Sequence, residues 1–447
     1  MYDFICVIVK KAVLLQPKMK KFFSQIAFSS SVRNVGKLLS ANIIAQAIGL
    51  LIYPLLTRLY TPEDFGLFNL FLSIGGVLIL LSTADYHNAI VLPEKEEDAC
   101  AVTHLSLFPV VIMTFVLLLS LSFAGPIAGL FKTPDLAAFY WLLPPYVFLV
   151  SLWNVLNYWY IRRKSYSRIS GYQISQSLFS AGYKSGFGFL GYLNGGLIWS
   201  SVLSPLCSLI LSVSLSAKSH LRPLLSFSWP ACKQAARNYS NFPKFSLPHS
   251  VVNYVASQLP VLLLTPVFSV REVGFWSMAL LLSFAPISMI SNALYQVFYQ
   301  KTTEQVNSRQ SIKSFYRRFS LWTLVAGIPF FTALWIVLPA LTQWLLGDEW
   351  RVAGEYIRWL LPWLLSMFLC ASTGYLFNIF AKQKQGLYFE IAIAVARLAG
   401  LCVGIYFHSF VTAIACYALA SAVINMIQYG WLLSLVKKYE KSLRMGV

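Results

Sequence analysis

Residues Leu38–Thr57 read LLSANIIAQAIGLLIYPLLT, an uncharged run held between Lys37 and Arg58. A helix crossing about 30 Å of hydrocarbon needs roughly 20 mostly apolar residues. The run meets that length. The turn LYTPEDFGLF at Leu59–Phe68 follows, and a second apolar run starts at once. The chain therefore crosses a bilayer and turns straight back.

The rest of the 447 residues follows this pattern. Hydrophobic residues make up 57 % and charged residues only 11 %, against about 25 % charged in soluble domains. A soluble core cannot hide that much apolar surface, so lipid must solvate it. Aromatic residues, at 16 %, suit the bilayer interfaces where Trp and Tyr gather. A net charge of +19 raises nucleic acid as a partner. The basic residues, however, fall between apolar spans and form no continuous patch, which is the mark of membrane orientation. The seven cysteines, Cys6 and Cys100 among them, show no C-x-x-C spacing and mostly sit in apolar runs. They read as small apolar residues.

Cutting at charges and at Gly, Pro and Asn turns predicts twelve spans, near 36–57, 66–92, 100–124, 136–160, 169–190, 196–216, 246–268, 274–299, 319–345, 357–381, 386–406 and 411–434. With the N-terminus inside, all but seven of the 35 basic residues fall on the cytoplasmic side. Arg58, Lys132, Arg271, Arg351 and Arg358 lie outside, and Lys184 and Arg397 lie within spans. A missed helix would scramble that bias. The expected class is an all-α polytopic membrane protein of two pseudo-symmetric six-helix bundles, with both termini cytoplasmic. Its parts are a basic N-terminal segment (1–33), a first bundle (34–216), a cytoplasmic inter-bundle loop (217–245), a second bundle (246–436) and a basic tail (437–447). Phe4–Val9 is too short to span, and Met19 opens a more natural start, so translation from Met19 is an expectation that intact mass would test.

An internal repeat supports two halves. Leu59–Phe68 (LYTPEDFGLF) and Val267–Trp276 (VFSVREVGFW) share an aromatic, a hydroxyl, an acid three residues on, and a glycine two beyond it. Span four leaves through Asn157 and Arg162–Lys164, and span ten through Asn378 and Lys382–Lys384. Parallel halves of this kind are common in transporters that rock around a central site. Pro54 in span one, and Pro248, Pro260 and Pro266 in span seven, predict bent helices.

Ionisable residues inside spans are costly and point to a wet interior. Gln173, Gln176, Ser177, Ser180 and Lys184 recur at three- and four-residue steps, one helix face ending in a cation. Span eleven repeats the design with Glu390 and Arg397. Lys184 and Arg397, with Gln173, Gln176 and Ser180, are the expected substrate-binding residues of a shared cationic cavity for a diphosphate or an acidic sugar. Glu390 and Asp85 are candidates for ion coupling or charge balance. Arg58 and Arg358 mark the outer ends of their spans, as gate residues or interfacial anchors. Asn42 and Gln46 suit either cavity lining or helix–helix contact. No Walker loop, H-E-x-x-H, G-x-S-x-G or metal-spaced Cys/His cluster occurs, so neither an ATP-driven pump nor an enzyme is expected, and no cofactor or metal.

Asn34–Leu70, the Arg162–Lys164 exit and Asn238–Tyr254 (NYSNFPKFSLPHSVVNY) resemble the polysaccharide-transport (Wzx-type O-antigen flippase) family of the multidrug/oligosaccharidyl-lipid/polysaccharide exporter superfamily, which includes the MATE transporters. The resemblance implies a MATE-like fold in the bacterial inner membrane. It also implies export of undecaprenyl-diphosphate-linked oligosaccharide units, of lipopolysaccharide O-antigen or another surface polysaccharide, to the periplasmic leaflet, alongside a polysaccharide polymerase and a chain-length regulator. An organic-cation antiporter of the same superfamily is the alternative, but its cavity wants carboxylates. A membrane-embedded polymerase or glycosyltransferase would call for a large outer loop or catalytic acids. Peptidoglycan-precursor flippases usually have fourteen spans, against twelve here.

Overall fold

The computed structural model describes residues 30–215, 221–371, 373–380 and 382–445. The Met19 start and most of the basic N-terminal segment lie outside them. Twelve helices of 18 residues or more run through the described chain. They are α1 (Ser30–Leu51, resuming as Tyr53–Leu59), α2 (Pro62–Thr83), α3 (Glu96–Leu119), α4 (Leu143–Arg162), α5 (Tyr166–Phe189) and α6 (Leu193–Ser214). The second half holds α7 (Leu247–Leu264), α8 (Val270–Asn307), α9 (Lys313–Leu346), α10 (Arg351–Ala371), α11 (Gln383–Tyr406) and α12 (Phe410–Met445). No strand occurs among the described residues. The fold is an all-α polytopic membrane architecture, as the apolar pattern predicts.

Nine of these helices are apolar and long enough to cross a bilayer on composition alone. The other three are α5, α7 and α10. The first carries the polar stripe, the second carries His249, Asn253 and Gln258 besides Pro248 and Pro260, and the third carries Arg351, Glu355 and Arg358.

Among the boundaries that move, two bear on residues singled out above. Span two was expected to run through Asp85, but α2 ends at Thr83, because Ala84 and Asp85 take left-handed backbone (φ 47° and 61°). Span ten was expected to reach residue 381. Instead α10 ends at Ala371, and Asn378 lies on a separate short helix, Leu376–Ile379. Pro54 breaks α1 at Ile52, as expected. The tail from Lys437 is helical as far as Met445, continuing α12. There Glu440 accepts from the backbone N–H groups of Ile312 (2.8 Å) and Lys313 (2.9 Å), capping the start of α9.

The repeated motif is a helix start. Thr61 caps α2: its side chain accepts from the Asp64 N–H, while the Asp64 carboxylate accepts from the Thr61 N–H at 2.9 Å. Ser269 accepts from the Glu272 N–H at 3.2 Å at the head of α8. Both caps satisfy an orphan donor of the first turn, and the one at Thr61 is reciprocal. Thr61→Ala is expected to cost about 1 kcal/mol, read as a lower melting temperature in detergent. An unchanged melting temperature would mean that lipid-side packing alone holds the start of α2.

Among the described glycines, those of the motif make the closest approach to another backbone. A Cβ on Gly66 would lie 1.9 Å from the carbonyl oxygen of Val270, and one on Gly274 would lie 1.8 Å from that of Pro62. The two contacts are exchanged by the same 208-residue offset, so α2 and α8 cross around a local pseudo-two-fold axis. Small residues allow this approach where no hydrophobic force separates helix from lipid. Gly400 and Gly404 do the same for α11 against α12, meeting the backbone of Cys416 and Ala413.

Candidate functional site

The α2–α8 crossing closes one end of the molecule. Arg271 joins Glu63 (3.1 Å) and Glu349 (2.7 Å) there. Trp350, only 1 % exposed, wedges edge-on between Phe65 and Phe275, with centroids 5.2 and 5.7 Å away. Its indole N–H donates to the Thr57 carbonyl at 3.1 Å. The opposite end carries the basic residues. There Arg162 donates to the carbonyls of Pro93, Glu94 and Lys95, and Arg163 pairs with Glu96 at 2.8 Å.

Beneath the closed end lies a cavity of about 610 Å³ between α1, α5 and α8. From α1 it takes Asn42, Gln46 and Tyr53; from α5, Gln173, Gln176, Ser177, Ser180 and Lys184; from α8, Leu281 and Pro286. The three- and four-residue steps of α5 put its polar stripe on this wall. α1 and α5 are joined by the Ser177 hydroxyl, which donates to the Ala45 carbonyl at 2.7 Å. Gln46 donates to Asn42 at 3.0 Å. The side-chain oxygen of Gln173 is buried without a hydrogen-bond partner. Among the described lining residues, Lys184 carries the only formal charge and no carboxylate is present.

Lys184 sits deep. It is five residues from the C-terminal end of α5, about 8 Å along the axis, nearer the closed end than the mid-span position expected from sequence. Its ammonium lies 4.9 Å from the centroid of the Phe68 ring on α2. Its backbone carbonyl accepts from the Tyr60 hydroxyl at 2.7 Å. Pi-faces attract cations without quenching their charge, so the ammonium keeps its capacity for an anion.

The sequence expectation placed Arg397 in the same cavity, but Arg397 is not among its described lining residues. Its guanidinium lies between the ring faces of Trp363 (5.0 Å) and Tyr417 (5.1 Å), and its Nε donates to the Ser421 hydroxyl at 3.0 Å. Aromatic faces and a hydroxyl on α10 and α12 draw it into the second half. Glu390 is exposed, with no ion pair among the described residues.

Asp85 is 2 % exposed and sits at the turn after α2. Its carboxylate accepts from the Asn88 amide at 2.7 Å and from the Ser246 hydroxyl, just before α7. It links the first half to the start of the second. Burial holds the neighbouring His87 imidazole below its ordinary range, with Asp85 opposing. Asp85→Ala should cost about 2–3 kcal/mol, since two half-buried donors lose their acceptor and alanine is strained at positive φ. Asp85→Asn should cost less, because asparagine tolerates that backbone. Equal melting temperatures for the two variants would remove the backbone part of this account.

Arg58 and Arg358 are held separately. Arg58 is exposed beside Trp344 and Leu345. Arg358 stacks on Trp335 at 5.0 Å and donates to its carbonyl at 2.8 Å. Trp335 is itself half exposed on the lipid-facing side of α9, which suits Arg358 to an interfacial anchor. The residues that do close this end, Glu63, Arg271, Glu349 and Trp350, were missed as a site. The signal was present in the repeat, because both Glu63 and Arg271 stand one residue before its acid.

A cavity at the junction of two helical halves, closed at one end and lined by apolar side chains, four amides, two serines and one cation, fits a multi-pass membrane transporter. The family is equally plain: residues 55–355 match the polysaccharide biosynthesis protein family, and the chain belongs to it. It is 22 % identical over 411 residues to the succinoglycan biosynthesis transport protein ExoT of Rhizobium meliloti (strain 1021), covering 89 % of this chain and 79 % of that one. Among solved structures, an inward-facing multidrug resistance MATE family transporter of the MOP superfamily superposes with a TM-score of 0.70 at 14 % identity, over 91 % of this chain and 99 % of that one. The lipid II flippase MurJ, in an inward closed conformation, gives 0.66 at 13 % identity, over 91 % and 90 %. These two likenesses establish the fold.

Proposed function

We propose that this protein is a flippase that carries an undecaprenyl-diphosphate-linked oligosaccharide from the cytoplasmic to the periplasmic leaflet of the bacterial inner membrane. The observation that carries the reading is the ammonium of Lys184 at the blind end of a largely apolar cavity that also presents four amides and, among its described lining residues, no carboxylate. A diphosphate supplies the complementary charge, and amides and hydroxyls suit sugar hydroxyls. Family membership and the succinoglycan transport relative support the polysaccharide side of the reading.

Positive charge on the open face sets that face in the cytoplasm, so the α2–α8 crossing is the periplasmic gate. The substrate head enters between α1, α5 and α8 while its lipid tail stays in the bilayer. Rocking of the halves breaks the crossing and releases the head outside. Arg397 serves the second half from its own aromatic frame, and Asp85 tethers the start of α7 to the turn after α2 at the cytoplasmic end. An organic-cation antiporter is disfavoured by the same cavity, since a cation would meet Lys184 and no carboxylate.

Cells lacking this chain should lose surface polysaccharide and accumulate the lipid-linked repeat unit on the cytoplasmic leaflet, both reversed by supplying the gene. Unchanged leaflet distribution of the lipid-linked unit would reject the proposal.

A further inference from the structure

From Leu136 to Arg271 the chain contains no Asp or Glu. The segment joining α6 to α7 lies inside this stretch. It exposes four cations, Arg222, Lys233, Arg237 and Lys244. It also exposes large apolar groups: Leu225, Phe227, Trp229 and Phe245 are 83, 55, 62 and 71 % exposed. A surface facing only water gains nothing from showing both sets together. A surface at a lipid headgroup boundary uses both.

The segment is built as a shelf. Its centre is the ten-residue helix Trp229–Asn238, whose Cys232 and Ala235 are buried. Cys232 meets the Ala101 carbonyl of α3 at 3.6 Å. Lys233 and Arg237, one turn apart, occupy the exposed side. Ahead of the helix, the Leu224 carbonyl is 2.9 Å from Nε2 of His104. Phe108 packs edge-on against both Phe227 (6.0 Å) and Trp229 (5.5 Å).

These anchors fix depth. His104 and Phe108 lie eight and twelve residues after the start of α3 at Glu96, about 12 and 18 Å along its axis. The next turns of α3 expose Val111, Ile112 and Phe115, which is the acyl-facing side of a span that is hardly buried by protein. The aromatic shelf is therefore continuous with the lipid surface of α3, and the cations sit at its rim.

We infer that the Arg222–Lys244 segment is a docking surface for acidic phospholipid headgroups of the leaflet on the basic face. Phe227 and Trp229 rest at the acyl boundary, and Arg222, Lys233, Arg237 and Lys244 meet the phosphates. The segment itself carries no carboxylate, the acids beside it being Glu96, Glu97 and Asp98 on the first turn of α3, and attractions of juxtamembrane cations to an anionic leaflet add along a segment.

The test uses the full chain in phosphatidylcholine vesicles with spin-labelled phosphatidylglycerol or phosphatidylcholine. The wild type should bind phosphatidylglycerol about fivefold more strongly or better. The quadruple variant R222Q/K233Q/R237Q/K244Q should lose most of that preference. Removing the same charge near the α8–α9 turn (R309Q/K313Q/R317Q/R318Q) should leave most of it. No preference in the wild type, or equal losses from the two variants, would overturn the inference. A spin label on Phe227→Cys, with the native cysteines replaced, gives an independent reading. Relaxation by oxygen in excess of a nickel chelate places it in lipid. The reverse ranking would assign the surface to a cytosolic partner and sink the idea.

Discussion

Replacing Gly274 by alanine should slow cross-linking, by a short bifunctional thiol reagent, of cysteines placed at Glu63 and Arg271 about tenfold or more, in a background free of native cysteines. In the wild-type crossing the carboxylate of Glu63 and the guanidinium of Arg271 meet at 3.1 Å, so a reagent that spans the length of the two lost side chains should bridge the pair quickly. A Cβ on Gly274 would stand 1.8 Å from the Pro62 carbonyl oxygen and 2.7 Å from its carbon. Neither atom can move aside, because both belong to the backbone of the first turn of α2. The helices must separate instead. Overpacking of this kind costs about 1–3 kcal/mol, and 1.4 kcal/mol is already a tenfold change in population. Gly66→Ala should act alike, through Val270. Gly125→Ala is the control, since its Cβ would find nothing within 4 Å. Equal cross-linking rates in all three backgrounds would mean that the glycine crossing does not hold the gate shut.

The second large effect is expected at Lys184. Lys184→Ala should lower delivery of polysaccharide to the surface by about tenfold or more, with the protein still inserted at normal levels. At an effective dielectric near 20, an ammonium 4 Å from a phosphate charge gains about 4 kcal/mol, and no second formal charge lines the described cavity to replace it. Lys184→Arg should restore part of the activity, since it keeps the charge but changes its shape. Lys184→Met, of similar length, should stay inactive and separates charge from bulk. Full activity in the methionine variant would show that the ammonium does no work in transport. Arg397→Ala should weaken stability as well as transport, because its guanidinium packs between Trp363 and Tyr417.

Much of this was legible in the residues. The stripe from Gln173 to Lys184 follows from helical spacing, and the cavity wall holds all of its members. Asn42 and Gln46, left between two roles, line the same wall. The repeat around Gly66 and Gly274 was visible as a pattern, but its meaning was not. Capping is local, so Thr61 with Asp64 and Ser269 with Glu272 could be read as helix starts. The approach of α2 to α8 is not local: nothing near Gly66 names Val270 as its neighbour. Asp85 misled for a related reason. Its run looked like unbroken span, because two left-handed residues leave no trace in hydropathy.

Taken alone, the order of amino acids determined the solvent, the number and direction of the helices, and which side of α5 is polar. Those properties depend on spacing along one helix and on charge between neighbouring spans, all readable within a few dozen residues. Tertiary structure alone decided which charges share a chamber. Lys184 faces the junction of the halves, while Arg397, nearer the middle of its own helix, turns to rings that α10 and α12 bring to it. Partners of that kind are separated by tens of residues in the chain and meet only when the helices have packed.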